Sequence, residues 1–330
     1  MNPDSESKNF QFLNTSLESL NQQSEKNSYT IDDINWSLKA NPDKFWMPES
    51  LVSISHLPVY NDMSYELKRL FNQYNSLGVA ELFIFFEETC LAPSMEKALL
   101  IAKDEPLRIA LRNFIDEENK HSSCFKKLLI TAKPDFYSES DFKYRFLRIS
   151  AAAKLTFDLL RKFSVQLPAW VWGALFFEER TLLYSKEYMA AKKNNEKSVD
   201  ELFYQAHFYH MMDEVRHVKL DEHMIKNFYN TYGARHASVV TWMVHKLISR
   251  SAYPINMIRS CLAQIKISAP QLLPAEIEQR ILSEAKQLTN TKSFLDLNFS
   301  QSAAPRTRFL MSRFPEFENF WQKIMSQNKA

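Results

Sequence analysis

His210-Met211-Met212-Asp213-Glu214-Val215-Arg216-His217 is the stretch from which the fold can be read. On an α-helix, residues three and four apart share a face, so His210, Glu214 and His217 point the same way. His207 lies one further turn back on that face. Nothing nearby breaks a helix, since proline is absent from Ala169 to Tyr253. Upstream, Glu118-Asn119-Lys120-His121 repeats the Glu-x-x-His unit. One copy alone is explained by an ordinary surface pair. Two copies with matching flanks are not.

The flanks do match. Phe85-Phe86-Glu87-Glu88-Thr89 precedes the first unit, and Phe176-Phe177-Glu178-Glu179-Arg180-Thr181 precedes the second. Each gap suits one antiparallel helix hairpin. The chain therefore reads twice as helix with Glu, turn, helix with Glu-x-x-His, the ligand pattern of ferritin-like dimetal carboxylate bundles. The expected fold is all-α, a ferritin-like four-helix-bundle core with additional helices. A lone buried carboxylate is costly, whereas four carboxylates balance two divalent ions. Carboxylate and imidazole suit iron or manganese, and the lack of clustered Cys argues against structural zinc and iron–sulfur.

The candidate ligands are Glu87, Glu118, His121, Glu178, His210, Glu214 and His217. Within each Glu-Glu pair, the smaller, charge-free helical face favours Glu87 over Glu88 and Glu178 over Glu179. Both halves must choose the same member, and the alternative pair stays open. Glu117 and Asp213 precede the ligand glutamates and could accept the free ring N–H of a ligand histidine. His207 is expected just behind the ligands. His56, His223, His236 and His245 have no ligand-like spacing.

Composition agrees. The 330 residues include only three glycines, Gly78, Gly173 and Gly233, against 25 Phe and 13 Tyr. Glycine-rich phosphate loops and many-hairpin β folds are thereby disfavoured. A net charge of +2 with no dense basic block argues against nucleic acid. Cys90, Cys124 and Cys261 form no disulfide or zinc pattern and read as free thiols in a reducing cytosol. The longest strongly apolar stretch, Leu167 to Phe177, is too short to span a bilayer. The N-terminus lacks a signal-peptide pattern. Together these imply a cytoplasmic protein without a membrane partner.

No composition break divides the chain. Residues 1–30 read as a disordered polar arm and 31–330 as one dimetal domain. An irregular strap holding Trp36 and Trp46 leads to a helix capped by Ser64, ending near Cys90 before Pro93. Further helices are expected over Ser94–Lys103, Pro106–Thr131, Asp141–Phe163 and Ala169–Lys193, the last two separated by Pro168. A sixth, capped by Ser198, runs to Tyr229 with Gly233 as its stop. Others fall at 236–252, 255–267 and 274–288. A loop at 290–305 precedes a helix over Phe309–Lys323.

These residues resemble the diiron p-aminobenzoate N-oxygenase family over roughly 40–230. The extra histidine of His210-x-x-x-Glu214-x-x-His217 matches that family's hallmark, as does Phe45-Trp46-Met47-Pro48-Glu49-Ser50-Leu51 followed by Leu57-Pro58-Val59-Tyr60. The resemblance implies two iron ions, with manganese as the other metal, and O2 activated as a peroxide to oxidise an arylamine to hydroxylamine and nitro forms. It implies that Glu118 and Glu214 bridge and that Glu87 and Glu178 are outer ligands. It puts His121 on one iron and His210 with His217 on the other. An aromatic amine substrate, an external electron donor (a reductase or ferredoxin) and a homodimer are the expected partners. Acyl-carrier-protein desaturases carry similar Glu-x-x-His motifs but lack the third histidine, so His210 discriminates. The remaining alternative, a helical protein without metal, predicts no ion at all. Arg306 or Arg308 is the expected partner for a substrate carboxylate.

Overall fold

The structure is a computed structural model and describes residues 16–164, 169–194, 199–232, 237–251 and 254–326. Its helices are α1 Leu17–Lys26, α2 Tyr65–Phe86, α3 Ala92–Ile101, α4 Glu105–Ala132, α5 Ala151–Lys162, α6 Ala169–Lys193 and α7 Glu201–Tyr232. They continue as α8 Ala237–Ser251, α9 Ile255–Ser268, α10 Ala275–Ala285, α11 Lys292–Phe299, α12 Pro305–Met311 and α13 Phe320–Ser326. Among the described residues there is no strand, only a single bridge between Phe45 and Val199. The all-α expectation holds.

Four long helices make the bundle: α2 packs on α4, α4 on α7, and α7 on α6. Their starts follow local chemistry. The Ser64 hydroxyl accepts from Leu67 N–H, and the Asp104 carboxylate accepts from Leu107 N–H. Helix α7 begins after Asp200, whose Oδ1 accepts from Leu202 and Phe203 N–H. Ser198, the expected cap, lies outside the described residues, as do Pro168, Gly233 and His236.

The apolar core is in two parts. One gathers Phe71, Tyr74, Phe125, Leu128 and Phe203, and the other Leu111, Phe114, Trp172, Leu175 and Ile225. On α4 and α7 the Glu-x-x-His units fall between these blocks, so the polar residues occupy the waist of the bundle. The strap before α2 is a run of 3-10 turns, as its prolines suggest. Asn72 on α2 pins it. Its Oδ1 accepts from Trp46 and Met47 N–H, and its Nδ2 donates to Met47 O.

Several expected boundaries shift for physical reasons. Pro93 does not stop the second helix. A π turn over Glu87–Leu91, closed by Ala92 N–H donating to Glu87 O, widens the helix just before Pro93, and α3 continues from it. The helix expected from Asp141 starts only at Ala151. Buried Glu81 explains the delay: it accepts from the N–H of Arg145, Phe146 and Leu147 and from the Tyr137 hydroxyl. Those amides are taken by a carboxylate instead of by helix carbonyls. The region 290–305 is not all loop, because α11 lies within it, and the last expected helix is split into α12 and α13.

The part of the polar arm that the structure describes, from Ser16, departs from the disordered expectation. The Ser16 hydroxyl caps α1, which buries Leu17 and Leu20 against α4 and α7. The arm's Asn/Gln/Ser-rich composition hid this one-sided apolar stripe. Two glycines mark close helix crossings. A methyl at Gly173 on α6 would lie 2.3 Å from Leu247 Cδ2 on α8, and one at Gly78 on α2 would meet Met257 and Phe146 at 3.0 Å.

Candidate metal centre

All seven candidate ligands are buried in the bundle waist. Glu87 comes from the π turn after α2, Glu118 and His121 from α4, Glu178 from α6, and His210, Glu214 and His217 from α7. The unused member of each pair faces away. Glu88 pairs with Lys126 near the surface. Glu179 accepts from the backbone N–H of Arg306 (2.5 Å) and Thr307 (2.8 Å), holding the start of α12 against α6.

Burial raises Glu179 to about 7, against hydrogen bonds from Thr307 and Arg306 that pull it down. Its folded value thus lies above the ordinary 4.5, so the folded chain keeps a proton that the unfolded chain releases. Its contribution to stability is full below about pH 4.5 and falls as pH rises through about 7. Urea unfolding at pH 5 and pH 8 tests this. The wild type is expected to lose on the order of 2 kcal/mol through this group, and Glu179→Gln should flatten that fall. Identical pH profiles for the two proteins would refute it.

Two groups of donor atoms converge, Glu118 with His121, Glu214 and His217, and Glu87 with His121 and His210. Glu214 faces both. Its Oε1 is 2.9 Å from His210 Nε2 and 3.3 Å from His121 Nδ1, and its Oε2 is 3.6 Å from His217 Nδ1. Glu118 Oε1 is 2.9 Å from His217 Nδ1 and 3.9 Å from His121 Nδ1. Glu178 Oε1 approaches His217 Nδ1 at 3.8 Å, and Glu87 Oε1 approaches His210 Nε2 at 3.4 Å.

The three histidines spread along the cluster, with His121 in both donor groups. His210 lies with His121 and Glu87, its ring centroid 4.4 Å from that of His121, while His217 lies toward Glu178. The cause is helical register. His210 is almost two turns from His217, so it reaches the other end of the cluster.

These donors lack ordinary partners. Both Glu118 oxygens, Glu178 Oε1, Glu214 Oε2, both His210 nitrogens, and Nδ1 of His121 and His217 make no hydrogen bond among the described residues, although all are buried. Burial, with the neighbouring charges of Glu118 and Glu214, pushes the Glu87 carboxyl well above its ordinary range, and burial also raises Glu118. Crowded buried acids and orphaned imidazole nitrogens suit cations, and the oxygen and nitrogen donor set fits two iron ions.

The outer face of each histidine is held from across the bundle. His121 Nε2 is 2.9 Å from Asp213 Oδ2, and His217 Nε2 is 2.9 Å from Glu117 Oε2. The acid beside each ligand glutamate thus serves the histidine of the other Glu-x-x-His helix. This fixes the tautomer with Nδ1 toward the cluster. Burial alone would raise Glu117, but the hydrogen bond and charge of His217, together with Arg216, hold it at about 2. Burial opposes charge on His217, yet Glu214, Glu117 and Glu118 outweigh it and strengthen its hold on a proton.

A family model for p-aminobenzoate N-oxygenase AurF matches residues 13–291. The chain belongs to the AurF family. It is therefore a non-haem diiron N-oxygenase that uses O2. A comparison with curated proteins finds no match.

In this AurF-family chain three site features escaped sequence reasoning. Arg216 bridges the two orienting acids, donating to Glu117 Oε1 (2.6 Å) and to Asp213 Oδ1. Lys120 pairs with Asp213 Oδ2 at 2.7 Å and sits 3.7 Å above the Tyr29 ring, while the Ser24 hydroxyl donates to Glu117. A signal existed: Glu117-Glu118-Asn119-Lys120-His121 and Asp213-Glu214-Val215-Arg216-His217 share the order acid, Glu, x, cation, His. Asp221, one turn past His217, is fully buried, with both carboxylate oxygens unpartnered among the described residues. His207, expected behind the ligands, stacks on Tyr188 with centroids 4.1 Å apart, and burial lowers it to about 3.

A cavity of about 90 Å³ reaches the site, with Glu87 and Glu178 in its wall among Val79, Phe83, Phe86 and Phe177. It shares Phe86, Phe177 and Tyr184 with a wider outer cavity of about 620 Å³. The inner chamber alone is smaller than the ~150 Å³ cavity that accepts benzene. The Phe86–Phe177 pair, centroids 4.1 Å apart, borders both spaces. Neither expected arginine lines the inner chamber. Arg306 pairs with Glu222 at 3.0 Å, and Arg308 donates to Phe299 O beside Trp321. Both are committed to holding the C-terminal helices. Among the described residues, no helix is long and apolar enough to cross a membrane.

Proposed function

We propose that this chain oxygenates the nitrogen of an aromatic amine, giving the hydroxylamine and nitro forms, at a diiron centre held by Glu87, Glu118, His121, Glu178, His210, Glu214 and His217. One observation carries the reading: Glu87, Glu118 and Glu214 converge with His121, His210 and His217, Glu178 Oε1 lies 3.8 Å from His217, and eight of these donor atoms have no hydrogen-bond partner among the described residues, beside a phenylalanine-walled chamber. When bound, the irons supply the O2 and redox chemistry. The chain's own residues do the rest. Glu118 and Glu214, which face both histidine groups, would hold the ions from the middle of the cluster. Asp213 and Glu117 hold the ring N–H of His121 and His217, keeping both Nδ1 atoms toward the metals. Phe83, Phe86 and Phe177 exclude water and present an apolar wall to a flat ring.

The reading includes an external reductant, because each O2 must be met by electrons that an amine alone does not supply at the first turnover. It includes a homodimer, for which exposed Leu100, Ile101, Leu155 and Leu159 offer apolar surface. It also includes a cytoplasmic setting, in keeping with three free cysteines.

The test is anaerobic loading with Fe(II), metal analysis, then reaction with O2 and an arylamine under stopped-flow absorption and product mass measurement. About two irons per chain and oxygen-18 in the amine product are expected. Fewer than about one bound iron sinks the diiron assignment, and a double bond formed in an acyl-carrier substrate, with the label leaving as water, selects the desaturase chemistry instead. His210→Ala should lose the absorption transient and most turnover. Retention of both would remove His210 from the ligand set.

A further inference from the structure

The N-terminal arm makes two contacts that the chemistry above does not use. Helix α1 is fastened to the bundle by buried Leu17 and Leu20 and by Asn21 Nδ2, which donates to Pro106 O at the start of α4. From this anchored segment two side chains reach inward. The Ser24 hydroxyl donates to Glu117 Oε1 at 2.6 Å, and the other oxygen of Glu117 is the one 2.9 Å from His217 Nε2. Further along, the Tyr29 ring lies 3.7 Å from Lys120 Nζ, which is 2.7 Å from Asp213 Oδ2. That same Asp213 oxygen meets His121 Nε2 at 2.9 Å. One short stretch of chain thus touches the support of both histidines.

Packing alone requires neither contact. Leu17 and Leu20 already bury the apolar stripe of α1, while half-buried Ser24 is aimed at a carboxylate. A cavity of about 20 Å³ beneath α1 has Ser24, Glu117, Arg216 and His217 in its wall, so α1 lies directly over the His217 end of the centre. Tyr29 is buried, and its hydroxyl has no hydrogen-bond partner among the described residues. The ring face is therefore what it offers to Lys120. Lys120 Nζ also donates to the Tyr29 carbonyl at 3.4 Å, a contact that any residue at this position would keep.

Groups that hold the outer nitrogen of a ligand histidine set its orientation and its strength as a donor. A hydroxyl bonded to Glu117 fixes the rotation of that carboxylate and draws off part of its charge, and the Lys120 ammonium does the same to Asp213. An aromatic face holds an ammonium most firmly where water is scarce.

We propose that Ser24 and Tyr29 are positioning residues of the metal centre, each acting on one histidine: Ser24 through Glu117 on His217, and Tyr29 through Lys120 and Asp213 on His121. This rests on the ligand set above and not on the amine chemistry.

Proton NMR of the anaerobic Fe(II)-loaded protein tests it, because ring N–H protons of iron-bound histidines resonate far outside the ordinary range and exchange with solvent. Glu117→Gln and Asp213→Asn identify the His217 and His121 signals. Ser24→Ala should move the His217 signal and speed its exchange by about tenfold or more, leaving that of His121 in place. Tyr29→Leu should do the reverse. Ser24→Thr keeps the hydroxyl and Tyr29→Phe keeps the ring, so both should match the wild type. Competition with a chelator should show Fe(II) held about 3- to 10-fold more weakly in Ser24→Ala and Tyr29→Leu. If the arm only packs, both variants unfold at lower temperature with both signals unmoved, and that result overturns the proposal. So does Tyr29→Phe behaving as Tyr29→Leu. If Tyr29→Leu fails to fold, Ser24→Ala against Ser24→Thr decides. A wild-type chain that binds no Fe(II) overturns the ligand set and the proposal with it, whereas full binding with unmoved signals overturns the proposal alone.

Discussion

Glu214→Ala is expected to abolish dimetal binding, with fewer than one iron retained per chain and turnover lower by on the order of 10³-fold or more. Glu214 is the carboxylate whose two oxygens look toward both histidine groups, 2.9 Å from His210 and 3.6 Å from His217. The metal-free protein should behave oppositely. Glu87 is pushed up by burial and by the charges of Glu118 and Glu214, so removing one acid relieves that repulsion. The metal-free variant should therefore unfold at a temperature equal to or above the wild type's, while added Fe(II) no longer raises it. Metal analysis and thermal unfolding with and without Fe(II) check both halves. A variant that still gains stability from Fe(II) as the wild type does would remove Glu214 from the centre.

Arg216→Met should act in the other sense, destabilising the fold by about 3–5 kcal/mol, because it leaves two buried acids short of a partner. Arg216 is 5 % exposed and donates to both Glu117 and Asp213. Lys120 still reaches Asp213, but Glu117 keeps only His217 and the Ser24 hydroxyl. Those same acids orient His217 and His121, so Fe(II) affinity should also fall by roughly 10- to 100-fold. Denaturant unfolding of the metal-free protein measures the first effect and competition with a chelator the second. Glu117→Gln added to Arg216→Met should recover part of the stability, since it removes one uncompensated charge. No recovery would mean that Arg216 acts through packing of its stem.

The ligand helices were legible because helical spacing leaves a direct mark on sequence. Glu118 with His121, and Glu214 with His217, are three residues apart whatever surrounds them. The small side chains on one face favour Glu87 and Glu178 over their neighbours, and both are buried, 3.4 Å from His210 and 3.8 Å from His217 respectively. What stayed hidden depends on contacts between distant segments. Glu81 captures three amides about 65 residues away, and no local pattern around Asp141 announces that its N–H groups are already spoken for. The nearness of His210 to His121 depends on the relative register of α4 and α7. Arg180 follows Glu179 in the sequence, and only the fold places it in the wall of the inner chamber.

The crossed pairing of orienting acids has a consequence for how such a site can arise and persist. Glu117 steadies the histidine of α7, and Asp213 steadies that of α4. Neither hairpin carries its own complete support, so the internal echo is not two self-sufficient units placed side by side. A change at Glu117 or Asp213 is felt first by the opposite repeat. Divergence of one copy is thus constrained by the other, and the two must drift together or not at all.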